Sequence, residues 1–523
     1  MVFLEVFVDE EKPHPVISRE GSIIRFLNKY VQQYVPENLF DKIRPSGSQP
    51  GKIYGLCKVH KVGNPLRPVV SMIGTAEYGL AKYLDDIIKP CIPGQFMLNS
   101  TLSFIQNIRN FVFKPDYSLV SYDVVSLFTN IPLKETLEIV CDYVYKSSNH
   151  PAFSKTTFKK LLEFATGGYF LYKGKIYCQI DGVTMGSPLG PTLANFFLAH
   201  YEKKFMSENL ESKPLLYLRY VDDIFCVFKD KENIQKFLNF LNNIHPNLKF
   251  TFEVGEEFLP FLDTKIELPN NINENINCKI YRKPTNTDVI INYNAFCPSK
   301  WKTGVMLCFL NRAYNVCNSW NLFDEEVNNL LSIFSKNGYP KSFFDNCVKN
   351  FLDKKFCEVD TISEPESDVI TMCIPYFGNQ SLLYKKQMTN CFKKIGCNLR
   401  VVFKSFRVRN YFSLKDVTPL NLKAKFIYHF TGSCDESTSY IGKTKRHFAV
   451  RFYEHQNTKT AVNQHSQKCL SCSNFNENNF KIIGFGKNDF DLRIKEALFI
   501  KYRRPSINNQ LKNKGSEFYL KIF

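Results

Sequence analysis

The chain has 523 residues, a formal net charge of +18 and 44% hydrophobic residues. This length is too great for one ordinary core, so two to four folded domains are expected. No segment has the uninterrupted apolar length of a membrane span, and the acids at Asp9, Glu10 and Glu11 exclude an N-terminal secretory signal. The 17 cysteines are mostly scattered singletons, which favours a reducing compartment over a disulfide scaffold.

The positive charge is concentrated between Tyr376 and Lys425. That stretch holds eleven basic residues against one acid, Asp416. Aromatic residues such as Tyr384 and Phe403 alternate with them, and cations for phosphates together with aromatic faces for bases are typical of a nucleic-acid surface. At helical spacing the same aromatics also fit a hydrophobic core, so that alternative stays open.

The hydrophobic pattern predicts a mixed chain of helices and strands. In chain order, the predicted elements are a helical lead-in (16–44), two strands and a helix (51–84), a strand (111–125), two helices (131–145 and 157–164), a hairpin (169–178) and a helix (191–205). An Asn-rich stretch at 270–277 is predicted as a hairpin tip or surface loop. Ser, Pro and acids at 361–368 indicate a linker.

Two adjacent acids, Asp222 and Asp223, are the most informative feature of the sequence. Aromatic and β-branched residues flank them at 215–219 and 224–228, which predicts two strands that meet at a turn with the acids at its tip. Neighbouring carboxylates repel each other unless a divalent cation neutralises them, so the pair predicts a Mg²⁺ site for phosphoryl transfer. An ordinary Asp-rich turn is the alternative.

A two-metal site of this kind needs a third carboxylate from another strand. The predicted strand at 117–122 carries Asp123 at its end. Phe128 follows five residues later, where a bulky ring could close over the sugar of an incoming nucleotide. These positions favour a nucleotidyl transferase.

Two further groups of residues fit the same chemistry. Gly186 and Ser187 belong to a run of small residues at 181–191, which lets backbone approach a base pair and a template strand. Lys58 and Arg67 lie on neighbouring predicted strands. Both suit a triphosphate, the arginine bidentately and the lysine as a point charge.

The order of these motifs resembles that of reverse transcriptases. The series is LCK at 56–58, LRPVV at 66–70, YDVVSLF at 122–128, MGSP at 185–188 and YVDD at 220–223. The wording SLFTNIP at 126–132 and MGSPL at 185–189 is similar to that of Penelope-like retroelements, relatives of telomerase. The resemblance covers roughly residues 50–415, since LPFLD, YRKPT and NRAY extend it at 259–263, 281–285 and 311–314.

The resemblance implies an α+β multidomain fold, a right-hand polymerase of fingers, palm and thumb. Asp123 and Asp222 would be the essential ligands of two Mg²⁺ ions, and Asp223 a supporting acid because adjacent strand residues point to opposite faces. Phe128 would act as the gate against ribonucleotides. The implied partners are an RNA template, a DNA primer, target DNA and dNTPs.

A new alternating pattern starts at 426–428 and carries separate chemistry. Tyr428 and Tyr440 lie in two strand-like stretches, and Arg451 and His455 share one face of a predicted helix at i and i+4. Later come Glu496, in a helical run at 492–502, and Asn508. The ordered set resembles the GIY-YIG endonucleases over 424–512, although the first motif lacks its initial glycine.

That resemblance implies a small α/β nuclease domain with defined roles for its residues. Tyr428 and Tyr440 would supply the tyrosine that activates water, and Arg451 would stabilise the phosphorane. Glu496 would bind one Mg²⁺ or Mn²⁺. His455 is expected to transfer a proton or contact phosphate, and Asn508 to be a structural or metal-proximal amide.

Thiols and imidazoles around the second tyrosine motif indicate a zinc site. The resembled nucleases often carry two cysteines before that motif and two histidines after it. In this chain the candidate ligands are Cys434, His455, His465, Cys469 and Cys472. Cys469-x-x-Cys472 has the spacing of half a zinc site, which Cys434 and a histidine would complete. Ordinary free thiols are the alternative.

The expected organisation is a helical lead-in (1–50) with a shortened N-terminus, fingers and palm (51–270), a thumb-like region (271–360), a basic linker region (361–423) and the nuclease domain (424–523). The expected function is RNA-directed DNA synthesis primed by a nick that the nuclease makes in chromosomal DNA, which implies a nuclear site. An inactive copy that only binds nucleic acid is the alternative, against which the presence of all four acids argues. A maturase-like intron protein fits the motif wording less well.

Overall fold

The structure is a computed structural model that describes residues 3–6, 13–59, 63–207, 211–269, 271, 276–356, 369–405, 411–412, 416–435 and 437–508. The predicted linker at 361–368, most of the predicted loop at 270–277, and Arg407, Arg409 and Lys415 of the basic segment lie outside the described residues. So does the last part of the expected nuclease domain, 509–523.

The strands are β1 (Phe3–Val6), β2 (Gly51–Cys57), β3 (Leu66–Ser71), β4 (Ser118–Val124), β5 (Tyr169–Tyr172), β6 (Lys175–Gln179), β7 (Leu216–Tyr220), β8 (Asp223–Phe228), β9 (Phe250–Val254), β10 (Leu259–Phe261), β11 (Thr264–Glu267), β12 (Asn277–Ile280), β13 (Val369–Pro375), β14 (Asn398–Lys404), β15 (Phe426–Thr431), β16 (Ser439–Thr444) and β17 (Phe480–Phe485).

The helices are α1 (Pro15–Tyr30), α2 (Glu37–Ile43), α3 (Tyr78–Ile88), α4 (Thr101–Arg109), α5 (Leu127–Asn130), α6 (Leu133–Lys146), α7 (Lys155–Thr166), α8 (Gly190–Met206), α9 (Glu232–Asn243), α10 (Ser299–Val316), α11 (Trp320–Lys336), α12 (Lys341–Phe356), α13 (Asn379–Lys394), α14 (Phe448–Asn457), α15 (Ala461–Ser466) and α16 (Asp489–Arg503). Elements predicted up to residue 205 are all present, with bounds shifted by a few residues. The strand predicted at 111–125 is shorter and begins at Ser118.

The central sheet of the first half has the order β7-β8-β4-β9 and is antiparallel throughout. Alternate residues of β4 and β8 enter different cores, because successive side chains of a strand point to opposite faces. Val120 and Cys226 belong to one core, built with α6, α8 and α9. Leu119 and Phe225 belong to the other, which includes Phe104 of α4. Burial on both faces makes this sheet a rigid base for the turn at its end.

A second sheet, of order β1-β6-β5-β2-β3, lies earlier in the chain and includes the hairpin predicted at 169–178. The β5–β6 turn uses Lys173 and Gly174, both with positive φ. Beyond the central sheet, α10, α11 and α12 share one hydrophobic core centred on Met306, Leu310 and Phe334. The thumb-like region is therefore mostly a three-helix unit preceded by the small β10-β11-β12 sheet.

Part of the expected basic linker forms regular structure. β13 and β14 pair in parallel, from Val369↔Asn398 to Pro375↔Lys404. Helix α13 connects them, as a parallel pair requires a crossover. The residues 369–404 are therefore a small βαβ unit.

The C-terminal unit has an antiparallel sheet of order β16-β15-β17 with α14 and α16 packed against it. It contacts the N-terminal lead-in, where the buried ring of His447 donates from Nε2 to the carbonyl oxygen of Ser48 at 2.6 Å. A Cβ on Gly47 would lie 2.4 Å from the carbonyl oxygen of Lys445. None of the helices in the described ranges is long and apolar enough to cross a membrane.

Candidate active sites

The predicted carboxylates meet at one end of the central sheet. Asp123, near the end of β4, is the direct cross-strand partner of Asp223, the first residue of β8. Asp222 lies in the β7–β8 turn, and its carbonyl oxygen accepts from the backbone N–H of Val124 at 3.3 Å. Asp123 and Asp223 therefore share a face of the sheet, whereas the sequence paired Asp123 functionally with Asp222.

Asp222 and Asp123 both act electrostatically on the carboxyl of Asp223. Desolvation by the surrounding protein, and then the negative charges of Asp222 and Asp123, raise the pKa of the Asp223 carboxyl to about 6. The ammonium of Lys283 opposes this shift. Clustered carboxylates that resist joint ionisation are suited to a divalent cation, which neutralises them. The residues present thus fit the predicted metal site.

An arginine that sequence reasoning missed supports the turn. Arg219 of β7 is fully buried, and its Nε and Nη2 pair with the carboxylate of Glu202 in α8 at 2.5 and 2.9 Å. Its Nη1 donates to Asn195 Oδ1 at 2.8 Å and to the carbonyl oxygen of Val221 at 2.9 Å. Val221 has φ +56, a conformation that costs a β-branched residue about 1–3 kcal/mol. The sequence feature that could have identified Arg219 is a single positive charge within an otherwise apolar strand.

Lys283 is a second residue that was missed as a site residue, although its motif was noticed. The segment that carries it is anchored by Arg282, which donates from Nη1 to Glu326 Oε2 of α11 at 2.9 Å. Glu326 is buried. The exposed Lys283 is thereby held where its charge acts on Asp223. In the sequence, Lys283 lies within a polar turn, where a positive charge does not stand out as that of Arg219 does in an apolar strand.

The small-residue run predicted to lie against substrate also contacts the β2–β3 hairpin. Val70 of β3 donates its backbone N–H to the carbonyl oxygen of Met185 at 2.9 Å. Gly186 has φ +113, and a Cβ there would lie 2.3 Å from the carbonyl oxygen of Val70. Glycine is therefore required by close packing at this position. Ser187 is buried beside it.

Phe128 lies next to the same run. It is half-buried in α5, and its carbonyl oxygen accepts from the backbone N–H of Val183 at 2.7 Å. Lys58 follows β2, and its backbone N–H closes the hairpin by donating to the carbonyl oxygen of Pro65 at 3.0 Å. Arg67 is exposed on β3, opposite Leu56. Both cations thus lie at the outer end of a hairpin whose other end is joined to Gly186.

The second site centres on the Tyr428 hydroxyl, which is buried in the C-terminal unit. Arg451 donates to it from Nε at 2.9 Å, and His455 Nε2 lies 2.8 Å away. Arginine can only donate, so the Tyr428 hydroxyl oxygen is the acceptor of the bond from Arg451. The other ring nitrogen of His455, Nδ1, lies 2.9 Å from Thr460 Oγ1. Burial, and then the charge of Arg451, lower the pKa of His455 to about 3.

Three more predicted residues, and a glycine that was not predicted as a site residue, have clear places around this network. A Cβ on Gly442 would lie 2.5 Å from the Tyr428 hydroxyl, so this position has no room for a side chain. Tyr440 packs beside Tyr428, with ring centroids 6.2 Å apart. Burial raises the pKa of Glu496 to about 7, opposed first by the charge of Lys443. Asn508 bonds both the N–H and the C=O of Ile441 at 2.8 Å, so of its two expected roles the structural one is observed.

The candidate zinc ligands separate into one cluster and one outlier. Ligand atoms of Cys434, His465, Cys469 and Cys472 all lie within 4.8 Å of one another. Hydrogen bonds, first from Thr438, lower the pKa of the Cys434 thiol to about 6. Three thiols and one imidazole at this spacing suit tetrahedral zinc. The expectation for His455 as a zinc ligand was wrong, because its two nitrogens bond to Tyr428 and Thr460.

Two regions of the chain match known protein families. Residues 59–254, which contain the three clustered carboxylates, match the family described as reverse transcriptase (RNA-dependent DNA polymerase). The chain contains a reverse transcriptase domain. Residues 289–349, which include α10 and α11, match the family described as animal helix-turn-helix domain. No curated protein matches the chain.

Solved structures resemble the chain at low identity. Telomerase from Candida albicans in complex with a fragment of telomeric RNA is 10% identical, with a TM-score of 0.40, and the match covers 64% of this chain and 63% of that one. Apo telomerase from Candida tropicalis is 13% identical (TM-score 0.37; 65% and 66% covered). The RNA-dependent RNA polymerase of Sicinivirus is 12% identical (TM-score 0.39; 60% and 70% covered). The chain spans about 63% of the Candida albicans telomerase.

Proposed function

We propose that the first half of the chain is an RNA-directed DNA polymerase. The single observation that carries this proposal is the meeting of Asp123, Asp222 and Asp223 at the end of the central sheet, inside the reverse transcriptase domain. These carboxylates would hold two Mg²⁺ ions. Bound there, the ions activate the primer 3′-hydroxyl and neutralise charge on the phosphates.

The protein's own groups position the substrates of this reaction. Arg67 and Lys58 bind the triphosphate of an incoming dNTP at the outer end of the β2–β3 hairpin. Phe128 closes over the sugar and excludes a ribonucleotide. Gly186 and Ser187 keep the backbone of their run close to the hairpin, so that the base pair has a flat wall.

The experiment is primer extension on an RNA template with the Asp222→Asn variant. The substitution keeps the volume of the side chain and removes its charge. We expect DNA synthesis to be lost while RNA binding, measured by fluorescence anisotropy, is retained. Full synthesis by the variant would overturn the polymerase assignment.

We further propose that the C-terminal unit is a GIY-YIG endonuclease that nicks DNA. The network of Tyr428, Arg451 and His455 supports it, because Arg451 is placed to stabilise a phosphorane and His455 to hydrogen-bond and orient the tyrosine hydroxyl. Glu496 would hold one Mg²⁺ or Mn²⁺, which contributes electrostatic stabilisation of the leaving oxygen. Tyr440 packs beside the reacting tyrosine.

A plasmid-nicking assay tests the nuclease independently of the polymerase. Glu496→Ala should lose nicking and keep primer extension. Asp222→Asn serves as the matched control, since it should keep nicking and lose extension. Equal nicking by Glu496→Ala and the unaltered chain would contradict the endonuclease assignment.

Together the two activities support target-primed reverse transcription by a Penelope-like retroelement protein. The nuclease would nick target DNA, and the released 3′-hydroxyl would prime copying of element RNA at the carboxylate site. Such a protein would act on chromosomes, and on that ground we propose a nuclear location. We also propose a zinc ion on Cys434, His465, Cys469 and Cys472, where it would tie the β15–β16 loop to the segment after α14.

A further inference from the structure

The βαβ unit at 369–404 belongs to neither active site and has an unusual charge. Its residues include six Lys or Arg and no Asp or Glu. In a chain with 50 acids, a stretch of this length without one favours a polyanionic partner over general solubility.

One face of the two-stranded sheet is covered except at Ile370, which is 48% exposed, and the other face is open. Val401 is buried, and Met372, Ile374 and Phe403 are partly buried, on the side where α13 packs. On the other side the described residues of both strands are exposed: Val369, Thr371, Cys373 and Pro375 on β13, and Asn398, Arg400, Val402 and Lys404 on β14. Parallel sheets are normally covered on both faces, so this face is incomplete as it stands.

We propose that this open face binds the sugar-phosphate backbone of a nucleic acid. Arg400 and Lys404 both lie on it, paired with Thr371 and Pro375. Four residues along a strand separate them by about 13 Å, so they contact different phosphates of one strand. The half-exposed ring of Phe377, just beyond the Lys404 end, is available to a base.

The position of the unit in the chain favours nucleic acid over another polyanion. It follows the three-helix unit, with Tyr376 packed on Phe296 at 5.2 Å between ring centroids, and it precedes the C-terminal unit. The polymerase that precedes these elements and the C-terminal unit both take nucleic acid in the proposed function, on which this choice of partner rests. A nucleic-acid strand bound here would lie, in the order of the chain, between the proposed polymerase and the proposed nuclease.

The test is fluorescence anisotropy of the full chain with short labelled RNA, single-stranded DNA and duplex DNA across a salt series. The double variant Arg400→Glu/Lys404→Glu is compared with Lys229→Glu/Lys231→Glu, which reverses two exposed charges between β8 and α9. We expect the first variant to bind about tenfold more weakly. Its salt slope on single strands should fall by about 1.4, since each lost phosphate contact accounts for about 0.7.

The outcomes separate this inference from the proposed function. Weaker binding of RNA and DNA alike supports contact with the shared backbone, and weakening confined to one of them assigns the face to that nucleic acid. Equal affinities and equal slopes for the two variants would overturn the inference. Primer extension on a short template, measured in parallel, reports on the polymerase itself and should persist in both variants.

Discussion

Arg219 Nη1 donates to the carbonyl oxygen of Val221 at 2.9 Å, in the turn that carries Asp222. The same guanidinium is held by Glu202 and Asn195 of α8. A buried charge is stable only when it is paired and hydrogen bonded, and here all three nitrogens are used. The left-handed Val221 is thus restrained from inside the core, which makes Arg219 a positioning residue for the metal-binding turn.

Arg219→Lys should therefore impair catalysis while keeping the positive charge. A lysine ammonium cannot bond Glu202, Asn195 and Val221 in the fork geometry of a guanidinium. We expect at least tenfold slower primer extension and a higher Mg²⁺ concentration at half-maximal rate. Arg25→Lys, at an exposed arginine, is the control. A variant that is merely less stable, with an unchanged Mg²⁺ dependence, would contradict the positioning role.

Gly186→Ala should be far more damaging than Gly174→Ala. Both glycines have positive φ, +113 and +78, so both substitutions strain the backbone. Only at Gly186 would the new Cβ collide with a carbonyl oxygen, that of Val70; at Gly174 nothing lies within 4 Å. Gly174→Ala should lower the free energy of unfolding by about 1–2 kcal/mol. Gly186→Ala should lower it clearly more and should also abolish primer extension. Thermal unfolding and primer extension of the pair measure both effects; equal losses would argue against the close contact.

Nicking should depend on pH through Glu496, whose pKa is raised to about 7. Only the ionised carboxylate binds a cation, so nicking at limiting Mg²⁺ should rise between pH 6 and pH 8, about tenfold per unit below the midpoint. Higher Mg²⁺ should move the midpoint to lower pH, because the cation favours ionisation. A flat profile at limiting Mg²⁺ would contradict the assignment.

The raised pKa of Glu496 also predicts that stability depends on pH. Stability should fall as pH rises, whereas nicking should increase. Because the folded pKa lies above the unfolded value, the folded state binds more protons between about pH 4.5 and 7, and the free energy of unfolding falls as pH rises through that window. Without divalent cations, Glu496→Gln should remove this dependence and stabilise the C-terminal unit at pH 8 by about 1–3 kcal/mol. Chemical denaturation at pH 5 and pH 8 measures it.

Zinc content provides an independent check on the C-terminal unit. The purified chain should carry about one zinc ion per molecule, and Cys472→Ala should lose it, since structural sites need four ligands. Chelation should lower the unfolding temperature of this unit and leave primer extension in place. Cys373→Ala, at an exposed thiol outside the cluster, is the matched control. Equal zinc content in the Cys472→Ala and Cys373→Ala variants would contradict the proposed zinc site.

The sequence predicted the elements and most of the candidate site residues because their signals are local. Asp222 and Asp223 needed only flanking strand patterns, and Cys469 and Cys472 only their spacing. Arg219, Lys283 and the Asp123–Asp223 pairing were missed because they depend on contacts between distant elements. The basic segment was expected to be a linker, since the pairing of β13 with β14 depends on contact between two strands that α13 separates along the chain.

The most direct measurement of the central claim is primer extension on an RNA template with Mg²⁺ and dNTPs, comparing the chain with its Asp123→Ala variant. Asp123 faces Asp223 across the sheet, so its loss removes a carboxylate from the proposed metal site and leaves the rest of the chain in place. We predict DNA synthesis by the chain and none by the variant. Equal synthesis by both, or none by a folded chain that binds the template and primer, would contradict it.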